Sequence, residues 1–238
     1  MDVEFLGWES HITPPDEDGD QRLRGQVTIE VKGDGSCDQV VITHVVRDGS
    51  GRPVLVDTDE EDQELDGGET AQFTTRRWAK GDLEGGTGQL SVELRAATYH
   101  RVANIEMPGL GERVGDGSVV DLGDGLKLLG WGLVTDPKPD DDDEVWSNLQ
   151  ICVHNTGTQP VARLEVKLRM LKRSGEEVDD GRCEIDGILP GQFRGDDASL
   201  RFATRWLKKG VTAEFIIKAL RVVARATAEP SELELRPR

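Results

Sequence analysis

The stretch "VARLEVKLRMLKRSGEEV", residues 161–178, decides how this chain is read. Leu164, Val166, Leu168 and Met170 alternate with Arg163, Glu165, Lys167 and Arg169. Side chains on a β-strand point to opposite faces in turn, so a period of two describes a strand with one buried and one wet face. The run stops at Ser174-Gly175, where glycine supplies the turn and the chain starts back. Val27, Ile29 and Val31 repeat the pattern between Thr28, Glu30 and Lys32, as do Val92 and Leu94 between Ser91, Glu93 and Arg95. Turn-forming segments, "KGDGS", "RDGSGRP", "LDGGE" and "HNTGTQP", punctuate these runs. The expectation is an all-β chain of antiparallel sheets packed as immunoglobulin-like β-sandwiches. "EFIIKALRVVARATAE", residues 214–229, has a helical amphipathic alternative, but its counterpart earlier in the chain alternates, so it too is assigned to strand.

That counterpart exists because the sequence repeats itself. "EFLGWES" at 4–10 matches "KLLGWGL" at 127–133, and an acidic, proline-containing loop follows each. "VTIEVKGDG" matches "LQICVHNTG", and Gly51 falls against Gly175. "RRWAKGDLEGGTGQL" at 76–90 matches "TRWLKKGVTAEF" at 204–215, setting Trp78 against Trp206 and Lys80-Gly81 against Lys209-Gly210. Both tryptophans are expected to cap a core near a strand end, with lysine-glycine turning the corner into the last strand. The predicted organisation is a tandem duplication: domain 1 over 1–107, a glycine-rich linker over 108–125, and domain 2 over 126–238.

Charge divides unevenly between these segments. The 238-residue chain carries 46 acidic and 29 basic residues, net −17. Residues 1–107 hold 23 acids against 10 bases, whereas 126–238 hold 19 against 18. Such a surface repels phosphate and anionic lipid, so nucleic acid and membrane are not expected partners. The acidic half would attract a basic protein, a cation, or the second half of another copy. Cys37, Cys152 and Cys183 form no CxxC pair, which argues against a disulfide framework or a structural zinc site. The opening "MDVEFLGWES" has no basic, apolar signal pattern, and reduced thiols fit a cytoplasmic protein.

The run "LQICVHNTGTQPVARLEVKLRMLKRSGEEV" followed by "ILPGQF" resembles the FxLYD-like group of bacterial immunoglobulin-type sandwiches. The features that carry the resemblance are an Asn155-Thr156-Gly157 turn, a long strand to a hairpin at Gly175, and Pro190-Gly191 before a later strand. "LRMLKRSG" stands where the namesake motif belongs. The resemblance implies an accessory or binding module and no catalyst.

Chemistry-bearing motifs are sparse. His11, His44, His100 and His154 stand in no HExxH, GxSxG or Cys–His signature, and no glycine-rich phosphate loop is present, so no enzymatic activity is expected. Cys152 and His154 share a strand face but are too few to hold a metal. The acidic loops are the candidate cation sites. Asp16, Asp18 and Asp20 begin a calcium-loop pattern that fails at Gln21 and Val27, and Asp140, Asp141 and Asp142 occupy the matching loop. Arg163, Lys167 and Arg169 form a basic strip that is the candidate interaction surface. The functional expectation is a non-enzymatic protein-binding or scaffolding module that uses sheet edges and loops, with no cofactor. The alternative is a calcium-dependent adhesion or carbohydrate-binding module.

Overall fold

The protein, described from a computed structural model over residues 1–80, 83 and 85–236, is all-β. In chain order the strands are β1 (Asp2–Ile12), β2 (Asp20–Lys32), β3 (Ser36–Cys37), β4 (Gln39–Arg47), β5 (Pro53–Glu61), β6 (Leu65–Asp66), β7 (Thr70–Lys80) and β8 (Thr87–Glu106). They continue with β9 (Arg113–Asp116), β10 (Val120–Asp121), β11 (Leu126–Thr135), β12 (Glu144–Asn155), β13 (Val161–Leu171), β14 (Glu177–Ile188) and β15 (Phe193–Ala203). A six-residue 3-10 turn, Thr204–Lys209, precedes β16 (Thr212–Thr227), β17 (Ser231–Glu232) and β18 (Glu234–Leu235). The expected strand over 214–229 is therefore observed up to Thr227.

The chain divides into two compact units, one made of 1–96 with 222–238 and the other of 97–221. This division differs from the expected 1–107 and 126–238. Two long strands carry the chain between units: β8 leaves the first after Ala96, and β16 leaves the second after Arg221. The expected linker, 108–125, is built into the second unit. Val114 pairs with Leu133 and Val120 with Leu128, and Leu122 is buried. Glycine dominates the composition of that stretch, yet Val114, Val120 and Leu122 give it enough apolar surface to hold a sheet edge.

In the first unit, one sheet has the order β18-β1-β2-β7, and β4 pairs with both β5 and β8. Alternate residues from both layers meet in the core. Val27, Ile29, Val31 and Phe73 come from one layer, and Val40, Ile42, Leu90, Val92 and Leu94 from the other. Each fully buried aliphatic side chain contributes about 1.5–3 kcal/mol. After Val222 the chain returns here: Ala224 joins the core and the Ala228 N–H donates to the Leu90 carbonyl at 2.9 Å.

In the second unit, β12 lies between β11 and β15, β9 and β10 pair along the other edge of β11, and β13 lies between β14 and β16. The core gathers Leu128, Leu149, Val153, Leu164, Leu168, Leu200 and Phe215, with Trp131 edge-on to Phe215 at 5.3 Å. At the rim Gly181 passes so close to β15 that a Cβ there would lie 1.9 Å from the Ser199 carbonyl oxygen.

Trp78 does not cap a core. On β7 the inward residues are Ala71, Phe73, Thr75 and Ala79, so parity turns Trp78 outward, and it is 61% exposed. Trp206 is half-buried against the second core, with Lys209 Nζ 4.6 Å and Lys172 Nζ 5.1 Å from its ring. Gly81, the expected corner after Lys80, lies outside the described residues.

Candidate functional site

The acidic loops are tied up as hairpin turns. Asp16 Oδ1 accepts the N–H groups of Asp18 (3.1 Å) and Asp20 (2.8 Å). Asp140 Oδ1 accepts those of Asp142 and Glu144, each at 3.0 Å. Arg201 also bonds Asp140 and lies 3.0 Å from Glu144, and its guanidinium holds the Asp140 carboxyl below the usual carboxylate range. Asp141 stands exposed in this turn. Among the described residues no three His, Cys, Asp or Glu side chains converge on a point where a metal ion could sit. The residues expected to chelate calcium are thus not brought together as a ligand set.

The basic strip of β13 is matched by acids on its neighbours. Arg163 Nε lies 2.7 Å from Asp186, Lys167 Nζ 3.2 Å from Asp180, and Arg169 2.5 Å from Glu177 and 3.0 Å from Glu214. Glu214 is only 1% exposed and is also held by Arg101. Cross-strand pairs of this kind fix register and leave little net charge for a partner. The strip is a mixed-charge sheet face. Cys183, on the adjacent β14, has its thiol pushed up to about 12 by burial and by Asp196, Asp197 and Glu184.

The outer face of the β9-β11-β12-β15 sheet is different in character. Outward residues along β12 are Trp146, Asn148, Gln150, Cys152 and His154, opposed on β15 by Arg201, Ser199, Asp197, Gly195 and Phe193. Between the aromatic ends lies an open trough of about 730 Å³ lined by Arg113, Gly115, Gly130, Gly132, Gln150 and Cys152. Its floor is glycine backbone: Gly115 packs too close to β11 to carry a side chain, and the Arg113 guanidinium lies over Gly132. A Cβ on Gly115 would lie 2.5 Å from the Trp131 carbonyl oxygen, and one on Gly132 would lie 2.6 Å from the Arg113 guanidinium. Trp146 is 44% and Phe193 62% exposed. Phe193 stacks on His154 at 3.8 Å, while Arg201 lies over the Trp146 ring at 6.0 Å. Both rings are therefore held in place while keeping a free edge, as binding anchors require.

The outer face of the β1-β2-β7 sheet sets His11, Arg24 and Arg76 in one register row and Arg22 opposite Trp78 in the next. In the same unit a polar cluster is buried between the layers. Ser10 Oγ lies 2.9 Å from His44 Nε2, and Thr75 Oγ1 lies 3.4 Å from His44 Nδ1. Glycine makes the room: a Cβ on Gly25 would meet Thr75 Oγ1 at 2.8 Å, and one on Gly88 would meet Ser10 Oγ at 2.7 Å. His44 is 1% exposed, and burial lowers its pKa to about 4 despite Asp57. Ser10 is sealed from solvent, and the hydrogen bonds to the imidazole among the described residues come from Ser10 and Thr75, so the pair lacks the access that a nucleophile needs.

Sequence reasoning passed over Trp146, Phe193, Arg22, Arg24 and Arg76. Their signal was strand parity: each stands at the wet phase of its run.

No family model matches the chain, and no curated protein matches it. Among solved structures, a chain described as "pT26-6p" aligns over 92% of this chain and 66% of its own length, at 8% identity and a TM-score of 0.25. The chain thus spans just under two thirds of that protein, and a likeness at this score carries no argument about fold or function. No helix among the described residues is long and apolar enough to cross a membrane.

Proposed function

We propose that the chain is a non-enzymatic binding module, made of two immunoglobulin-like sandwiches related by duplication, that docks a protein partner on an exposed sheet face. Paired irregularities support the duplication. The β1–β2 register shifts before Gly7 and the β11–β12 register shifts before Gly130. The turns at Asp16 and Asp140 share one hydrogen-bond pattern, with Asp20 and Glu144 carbonyls accepting from the aspartate N–H. The Gly51 and Gly175 turns likewise match each other, both glycines having positive φ. A partner confined to the cytoplasm fits the three free thiols.

The observation that carries the docking proposal is a sheet face that bears both a glycine-floored trough and, further along β12 and β15, the exposed rings of Trp146 and Phe193. Exposed aromatic anchors beside a groove are the surface chemistry of protein recognition, because a rigid ring buries a large area at small entropic cost. Affinity capture from the source cell with the intact chain, set against a Trp146→Ala/Phe193→Ala variant, tests it. A partner held by the first and lost by the second is expected. Equal recovery with both, or turnover in a hydrolase panel, would end the proposal.

A further inference from the structure

The first unit holds 25 acidic and 12 basic residues, net −13. Its arginines are mostly neutralised: Arg52, Arg77, Arg95, Arg225 and Arg236 each hold a carboxylate. Arg22, Arg24 and Arg76 hold none among the described residues, although they stand together on one face. Arg24 and Arg76 are direct cross-strand partners, and Arg22 lies two residues from Arg24 on the same side of β2. Like charges placed opposite each other across strands are destabilising. Arg24 Nε and His11 Nδ1 are moreover buried from solvent with no hydrogen-bond partner. Trp78 completes the block and is 61% exposed.

Glu9 and Glu234 border this row and act on His11, and Glu9 on Arg24, but Arg236 holds both, so among the described residues the arginines keep a local cationic excess on an acidic body. We infer that this face binds an acidic peptide segment in extended conformation, with alternate carboxylates on Arg22 and on the Arg24–Arg76 pair and an apolar side chain on Trp78. The inference rests on reading the chain as a protein-binding module and names the chemistry of a partner. Guanidinium groups take carboxylates through paired, charge-assisted hydrogen bonds. An extended peptide puts alternate side chains about 6.6–6.8 Å apart, which is also the repeat separating Arg22 from Arg24 along β2. A long polyanion such as nucleic acid fits less well, because its charge would extend past the three arginines over a surface of net −13.

The test is fluorescence anisotropy with the full chain and a labelled peptide carrying glutamate at alternate positions beside a phenylalanine, against its glutamine counterpart. A single-stranded oligonucleotide and inorganic phosphate serve as competitors. The acidic peptide should bind at least about tenfold more tightly than the glutamine peptide. The R24Q/R76Q variant should lose that preference without losing thermal stability, since a repulsive pair is removed, and Arg163→Gln should leave it unchanged. Equal binding of both peptides, full binding by R24Q/R76Q, or tighter binding of the oligonucleotide would overturn the inference. If the peptide fails while a partner is still captured through Trp146 and Phe193, only this inference falls.

Discussion

Ser10 Oγ and His44 Nε2 are 2.9 Å apart, buried in a unit whose core is built mainly of apolar side chains. The buried imidazole makes stability depend on pH. His44 titrates near 6.5 when unfolded and near 4 when folded. Its contribution is whole above pH 6.5 and lost as pH falls to about 4, amounting to about 3 kcal/mol. Denaturant titrations at pH 7 and pH 4 should show this loss, and His44→Gln should remove most of it. Glu93 acts lower on the scale. Burial pushes its carboxyl up but Arg225 and Arg95 outweigh that, so its contribution is present above its ordinary 4.5 and fades below. An unchanged acid limb in His44→Gln would exclude the histidine as its source.

Glu214 is buried between Arg101 and Arg169, with Arg101 Nε and Arg169 Nη1 each 3.0 Å from its oxygens. Glu214→Gln should destabilise the second unit by about 2 kcal/mol, because the charge-assisted bonds from both arginines weaken at a carboxylate water cannot reach. Arg101→Gln should cost much less, since Arg101 is largely exposed. A shift in denaturation midpoint for Arg101→Gln as large as for Glu214→Gln would contradict this ranking.

Gly181 and Gly175 separate steric from conformational demand. Gly181→Ala must move the β15 backbone at Ser199 and should cost about 2–3 kcal/mol. Gly175 faces open space but has φ 86°, so Gly175→Ala should cost about 1 kcal/mol. Thermal melts of the two variants check the order.

Net charge of −17 implies a dependence on salt. Raising NaCl from 0.01 M to 1 M shortens the screening length from about 30 Å to about 3 Å and relieves self-repulsion. A gain of roughly 1 kcal/mol, or about 2–4 °C in Tm, is expected. A Tm that is flat or falls with NaCl would show that the ion pairs, not the repulsion, dominate.

The strands were legible because alternation is local: Leu164 to Met170 and Val27 to Val31 are buried where their phase puts them. The same rule, applied to Trp78, gives the outward side, since Phe73 fixes the inward parity of β7. Pairing on the basic strip was also within reach, because folding the hairpin at Gly175 brings Asp186 against Arg163. The partition into units was not. β8 and β16 run unbroken for 20 and 16 residues, and a period of two carries no mark where a strand leaves one interior for another. Glycine content misleads at 108–125 because a sheet edge needs only alternate apolar residues. The aspartate turns mimic a chelating loop because one carboxylate can serve backbone N–H groups or a cation, and sequence does not say which.

That residues 222–238 complete the unit begun at Met1 bears on biosynthesis. On the ribosome the unit that includes β1, β2, β4 and β7 waits, those strands already made, until residues translated after the whole inserted unit supply Ala224 and Leu233. The inserted unit, begun later, is the first to have all its residues outside the tunnel. The unit encoded in the middle of the chain is thus complete before the unit in which translation of these residues began.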